Sequence, residues 1–186
     1  MTSIAERFGD ALAEVDDRAP ELLPVRLCRA VTATLGVDGA GLSVLDRLGR
    51  RIPLGASSQP ASTAERLQFT AGGGPCLEAQ ELREPVFALP SDLHRRWADY
   101  ASLLFAQTPY RAVVALPLRE DLAGSGAIDL YFTDPSDVPL LDVFNAHSVG
   151  DMVTAALSEA AIWSTWGYDR GPEWLHGPDA EQRAMV

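Results

Sequence analysis

Few side chains in this sequence invite a chemical reading, and Cys76 comes first. It follows Gly72-Gly73-Gly74-Pro75, the strongest punctuation in the chain, and opens a segment of helical character. A helix start offers unpaired N–H groups and the positive end of the helix dipole. Those can hold an anion or lower a thiol pKa. Glu78 and Glu81 stand close by and work against both effects. No Lys-Ser/Thr pair follows the glycines, so the loop is not a phosphate-binding P-loop. The expectation is a tight turn that packs Cys76, with a ligand or redox role as the alternative. Cys28, the other cysteine, lies far away in sequence and forms neither a CxxC nor a zinc pattern with it.

Trp97 and Tyr100 are spaced for one helical face, where they pack in a core or wall an apolar pocket. In GAIDLYF (126–132), strand alternation puts Ile128, Leu130 and Phe132 on one face and Ala127, Asp129 and Tyr131 on the other. Asp129 is then either solvent-exposed or a polar anchor in a pocket. The candidate ligand-binding residues are Phe69, Cys76, Trp97, Tyr100, Asp129 and Tyr131. His94, His147 and His176 do not form a metal cluster, and His147 on the last helix reads as a surface residue rather than a haem ligand. Ser43, Asp129 and His147 lack the GxSxG elbow of a hydrolase. No catalytic or metal-binding residue is expected, and the sequence names no cofactor.

The 186 residues suit one domain with some extra helix or tail. All 15 basic residues are arginine, and the net charge is -11. Nucleic-acid surfaces need clustered positive charge, so this chain is expected to bind none. Between Arg119 and Arg170 every charged residue is acidic, which reads as a solvated face or an acidic docking surface. The opening, MTSIAERFGDALAEV, is no signal peptide, and no stretch approaches a membrane span, so the expected location is the cytoplasm.

The elements that must position these residues follow from periodicity. Ile4, Phe8, Ala11, Leu12 and Val15 mark a short amphipathic helix within residues 1–20, ended by Asp16, Asp17 and Pro20. A second helix runs from about Glu21 to Leu35, with Gly36 as its stop. Residues 39–47 and 51–58 read as a hairpin turning at Leu48-Gly49, with Pro53 at an edge or bulge. Residues 60–66 are weakly helical, and Pro75 starts a short helix to Leu82. PVFALP (85–90) reads as a brief strand. Ser91 is the expected cap of one helix carrying Leu93, Trp97, Tyr100 and Leu104. Residues 111–118 and 126–133 are the clearest strands, and a long helix spans about Leu140 to Trp166. The fold class is α+β: an antiparallel sheet of five or six strands, with terminal helices on one face and mid-chain helices on the other.

Several segments together resemble a GAF domain. GAGLSVLD is similar to the family's first strand, and RAVVALPLR with GAIDLYF to its paired late strands. LQFTAGGGPCLEA and RWADYA resemble a bacterial subgroup that often carries GEGPCLxA and RWPxFA there. Gly73 departs from that pattern, standing where the subgroup usually has a charged or polar residue. In that subgroup the domain commonly precedes ANTAR, a helical RNA-binding antiterminator module. The tail WLHGPDAEQRAMV looks like the opening of such a module, cut short at Val186. The resemblance implies a GAF domain over residues 21–166 and a linker over 167–186, from a transcription antitermination regulator. RNA binding is expected only if a full ANTAR domain follows.

The leading expectation is a sensory domain that binds an unidentified small molecule or protein and signals through its terminal helices. Their apolar sides exceed what one sheet face can cover, so a homodimer is expected. The alternatives are a dimerisation module without ligand, or a cysteine-dependent methionine sulfoxide reductase. The latter needs a resolving thiol, whereas Cys28 is expected across the sheet from Cys76.

Overall fold

Four antiparallel pairings, two of them between strands far apart or separated by helices in the chain, build the sheet. The computed structural model describes residues 2–14, 19, 22–45, 51–119 and 126–165. The expected turn at Leu48-Gly49, the link over 120–125 and everything from Trp166 onward lie outside the described residues. Five strands, β1 (Gly39–Leu45), β2 (Arg51–Ala56), β3 (Val86–Ala88), β4 (Ala112–Pro117) and β5 (Gly126–Phe132), run antiparallel in the order β2-β1-β5-β4-β3. β5 is central and buried along its whole length. β2 is an edge strand, as Pro53 requires. Leu42 opposes Gly55 but Ser43 opposes Pro53, so Leu54 is an extra residue in the ladder.

Helices cover both faces. α1 (Ile4–Ala13), α2 (Leu23–Leu35) and α7 (Val143–Thr165) pack with Leu42, Val114, Leu116, Ile128, Leu130 and Phe132. α3 (Gln59–Ala71), α4 (Pro75–Leu82), α5 (Pro90–Arg96) and α6 (Ala98–Gln107) pack on the other face, over Val113, Ala115 and Tyr131. Local chemistry sets several ends. Ser3 and Glu6 form a capping box at α1. Gly36 closes α2 in the left-handed conformation, at φ 69°. Pro75 occupies the first turn of α4. No helix among the described residues is long and apolar enough to cross a membrane.

Four expectations need correction. Ser91 is not the cap but lies inside the helix, which begins at Pro90, the first-turn position where a missing N–H costs nothing. That helix is also two helices. Trp97 breaks it at φ -140° and ψ 63°, turning its ring onto Ala79, Val86 and Ala115. Trp97 and Tyr100 therefore do not share a helical face. Phe8 is not left for a partner: α1 folds onto α2 and α7 and buries it in the chain's own core. Finally, the acidic run is not one solvated surface, because Asp129 within it is fully buried. The exposed apolar side chains of the terminal layer are Leu140 and Phe144, at 78% and 88% exposure.

Candidate functional site

The face of β5 that carries Asp129 and Tyr131 meets α3 through a helical stripe of Ala61, Ala64, Glu65 and Gln68. Two alanines let α3 sit close, which leaves its glutamate and glutamine inside the protein. β1 adds Ser43, β2 adds Arg51, α4 adds Cys76 and α6 adds Tyr100, all buried. The Arg51 guanidinium donates from Nε to Ser43 Oγ at 3.1 Å and from Nη1 to the Glu65 carbonyl at 3.1 Å. Its Nη2 forms an ion pair with Glu65 Oε2 and lies 3.7 Å from Asp129 Oδ2. Tyr131 donates to Glu65 Oε1 at 2.6 Å. Gln68 donates from Nε2 to Asp129 Oδ2 at 2.5 Å, and its Oε1 accepts the Cys76 N–H at 3.0 Å. Cys76 Sγ lies 3.1 Å from Ser43 Oγ.

The glycines of the neighbourhood now have a reason. A Cβ at Gly41 would stand 2.1 Å from Glu65 Oε1, and one at Gly74 would stand 2.2 Å from Gln68 Oε1. The two long polar side chains occupy space that any other residue would fill.

Electrostatics follow from burial. Burial drives the Asp129 carboxyl well above its ordinary value, and the Glu65 charge adds to the rise while Arg51 opposes it. Burial also pushes the Cys76 thiol far up against the pull of Arg51, with Asp129 and Glu65 reinforcing the rise. Cys28 is raised as well, by burial first and Glu65 second. Each cysteine is therefore held as a thiol, the opposite of a reactive site. Cys28 lies with the terminal helices, its thiol directed at the Gly55 carbonyl, 3.4 Å away, and no disulfide joins it to Cys76.

Four of the six expected site residues, Cys76, Tyr100, Asp129 and Tyr131, meet in this cluster. The solvent-exposed reading of Asp129 is overturned, since alternation turns it beneath α3 and α4. Phe69 is not brought in; it projects from α3 at 63% exposure. Trp97 is half-buried and packs beside the cluster without joining its hydrogen bonds, with the Arg96 guanidinium 4.4 Å over its ring. Sequence reasoning missed Arg51, Glu65, Gln68 and Ser43. A signal existed for two of them: Glu65 and Gln68 share a helical face with Ala61 and Ala64.

No family model matches the chain, and no curated protein matches it. Solved structures do. A domain of a protein described as a two-component sensor histidine kinase from Sinorhizobium meliloti 1021 superposes with a TM-score of 0.61 at 16% identity, covering 82% of this chain and 100% of that one. The GAF domain of an Acinetobacter phosphoenolpyruvate-protein phosphotransferase gives 0.60 at 10% identity, covering 89% and 99%. The free methionine-R-sulfoxide reductase of Neisseria meningitidis, solved with its substrate, gives 0.51 at 15% identity, covering 81% and 85%. The fold is thus of the GAF type, a five-stranded antiparallel sheet between two helical layers.

Proposed function

We propose that this chain is a sensory or regulatory GAF-type domain rather than an enzyme. It takes a small molecule between the sheet and helices α3, α4 and α6, and passes the change on through α1, α2 and α7. The observation that carries this reading is the buried ionic network around Asp129, in which Asp129 Oδ1 has no hydrogen-bond partner. Native interiors rarely leave such groups unpaired, and a purely structural core is served as well or better by apolar residues. The sequence resemblance supports a cytoplasmic antitermination regulator as the setting, with RNA binding assigned to an ANTAR module and not to residues 1–186. Pairing of two copies through the terminal layer, with Leu140 and Phe144 at the contact, completes the proposal.

One observation favours a second reading, a dimerisation module without ligand. Most of the network's hydrogen bonds are satisfied internally, as they would be in a site closed for good. The reductase reading is not adopted, because the two thiols lie on opposite faces of the sheet and both are held protonated.

Thermal-shift screening against a metabolite library separates the first two readings. The sensor reading expects at least one compound that raises the melting temperature of the wild type but not of Asp129→Asn or Tyr100→Phe. A flat profile across the library favours the ligand-free module.

A further inference from the structure

The network holds one fixed cation for two carboxylates. Arg51 is committed to Glu65 through both side chain and main chain, and to Ser43. Asp129 Oδ2 accepts from the neutral Gln68 amide, Tyr131 gives its one proton to Glu65, and Arg51 Nη2 reaches Oδ2 only at 3.7 Å. The other oxygen, Oδ1, is buried with no donor. Tyr100 comes from α6 and lies close enough that Asp129, Glu65 and Arg51 all act on its buried hydroxyl, beside which the Tyr131 hydroxyl is the neighbouring hydrogen-bonding group. Gln80 sits one turn beyond Cys76 on α4, and both ends of its buried amide lack partners. Strand β5 and helices α4 and α6 thus each bring buried polar atoms to the same side of the sheet.

We propose that this layer takes a small organic cation carrying N–H donors, a primary ammonium group being the simplest, with Asp129 as counter-ion and Tyr100 and Gln80 as further hydrogen-bond partners. The proposal rests on the sensor reading above and narrows it to a ligand class. An anionic ligand would add to two carboxylates that already outnumber the arginine. A neutral ligand would leave Asp129 protonated and gain no ion pair from it, whereas a cation can take the place of that proton. All these groups are enclosed, so uptake requires a local opening of the helices above the sheet.

When no ligand is bound, a proton on Asp129 makes up the imbalance, in keeping with its raised titration. The cation then displaces that proton. Binding therefore tightens with pH, by up to about tenfold per unit while the free protein still holds the proton.

The test compares methylammonium chloride with potassium chloride at equal ionic strength, and with acetamide as a neutral probe, by thermal denaturation and calorimetry of the intact chain. The expected result is a methylammonium-specific rise in melting temperature, larger near pH 8 than near pH 6, with proton release on binding. Asp129→Asn is expected to abolish the rise. Gln80→Leu leaves the carboxylate in place and is expected to weaken it, which keeps the test usable if Asp129→Asn does not fold. A rise no larger than that of potassium, or one retained in full by both variants, overturns the proposal. If acetamide stabilises the wild type while methylammonium does not, the ligand class is wrong and the sensor reading stands. If neither probe acts, the cation proposal fails, and the metabolite screen alone decides the sensor reading.

Discussion

Gln68 joins Asp129 to Cys76: its Nε2 donates to Asp129 Oδ2 at 2.5 Å while its Oε1 accepts the Cys76 N–H at 3.0 Å. One amide thus ties a carboxyl at the centre of the sheet to the first turn of α4. Since the N–H groups of a helix's first turn have no partner within the helix, this side chain both caps α4 and reports on Asp129. Replacing Gln68 with Leu should cost about 1–3 kcal/mol, the usual cost of leaving buried polar groups unmet. Hydrogen exchange should accelerate in residues 75–82 more than in β4 or β5. Uniform acceleration across the sheet would argue against a specific tether.

Arg51 is the only fixed cation in the network. Arg51→Met keeps a long apolar stem but strands two carboxylates. Loss of one partner from a buried ion pair costs about 3–5 kcal/mol, and equilibrium denaturation in urea should show it. A double variant, Arg51→Met with Glu65→Leu, should recover much of the loss, because the remaining carboxyl can stay protonated. Additive losses would contradict the coupling drawn here.

The titration of Asp129 fixes the sign of a pH dependence. Its folded value lies well above the 3.8 of a free aspartate, because burial and Glu65 outweigh Arg51. Above 3.8 the folded chain keeps a proton that the unfolded chain releases. The stabilising contribution is therefore complete below that pH, declines as pH rises, and is lost past the folded value, with a slope of up to about 1.4 kcal/mol per pH unit. Stability of the wild type should fall relative to Asp129→Asn as pH rises above 3.8. Parallel curves would show that Asp129 is ionised throughout.

Gly41→Ala should destabilise by about 1–3 kcal/mol, the range for overpacking. The added methyl meets a Glu65 side chain that Arg51 holds in place, so the usual escape by rotamer change is blocked. If the substitution proves neutral, the network is looser than its distances imply.

Both thiols should resist Ellman's reagent in the native protein at mildly alkaline pH and react fully in denaturant, since each is buried and held protonated. Rapid native reaction of Cys76 would reopen a redox role.

Much of the fold was legible in the sequence because its periodicities are clean. The alternation in GAIDLYF assigned β5's two faces correctly, and Gly74-Pro75 marked the start of α4. The break at Trp97 was not legible, since Leu93, Trp97, Tyr100 and Leu104 keep helical spacing across it and only the tertiary position of the indole distinguishes two helices from one. The site was half legible. Asp129 and Tyr131 announced themselves by a charge inside a strand. Arg51 carried no such mark, because what buries it is a pairing between elements, and Glu65 was marked only by the helical face it shares with Ala61, Ala64 and Gln68.

The extra residue at Leu54 has a consequence for communication between the two layers. Arg51 and Pro53 share the parity of Ser43 and face the ionic network, and Ala56, opposite Gly41, faces the same way. An unbroken strand could not point both Arg51 and Ala56 to one side. The insertion also turns Leu54 and Gly55 together toward α2, where the Gly55 carbonyl meets the Cys28 thiol. From Arg51 to Gly55, then, one stretch of chain is held by the ionic network at one end and by a terminal helix at the other. The bulge therefore lets one edge strand touch both layers, with Arg51 on one side of the sheet and Leu54 and Gly55 on the other.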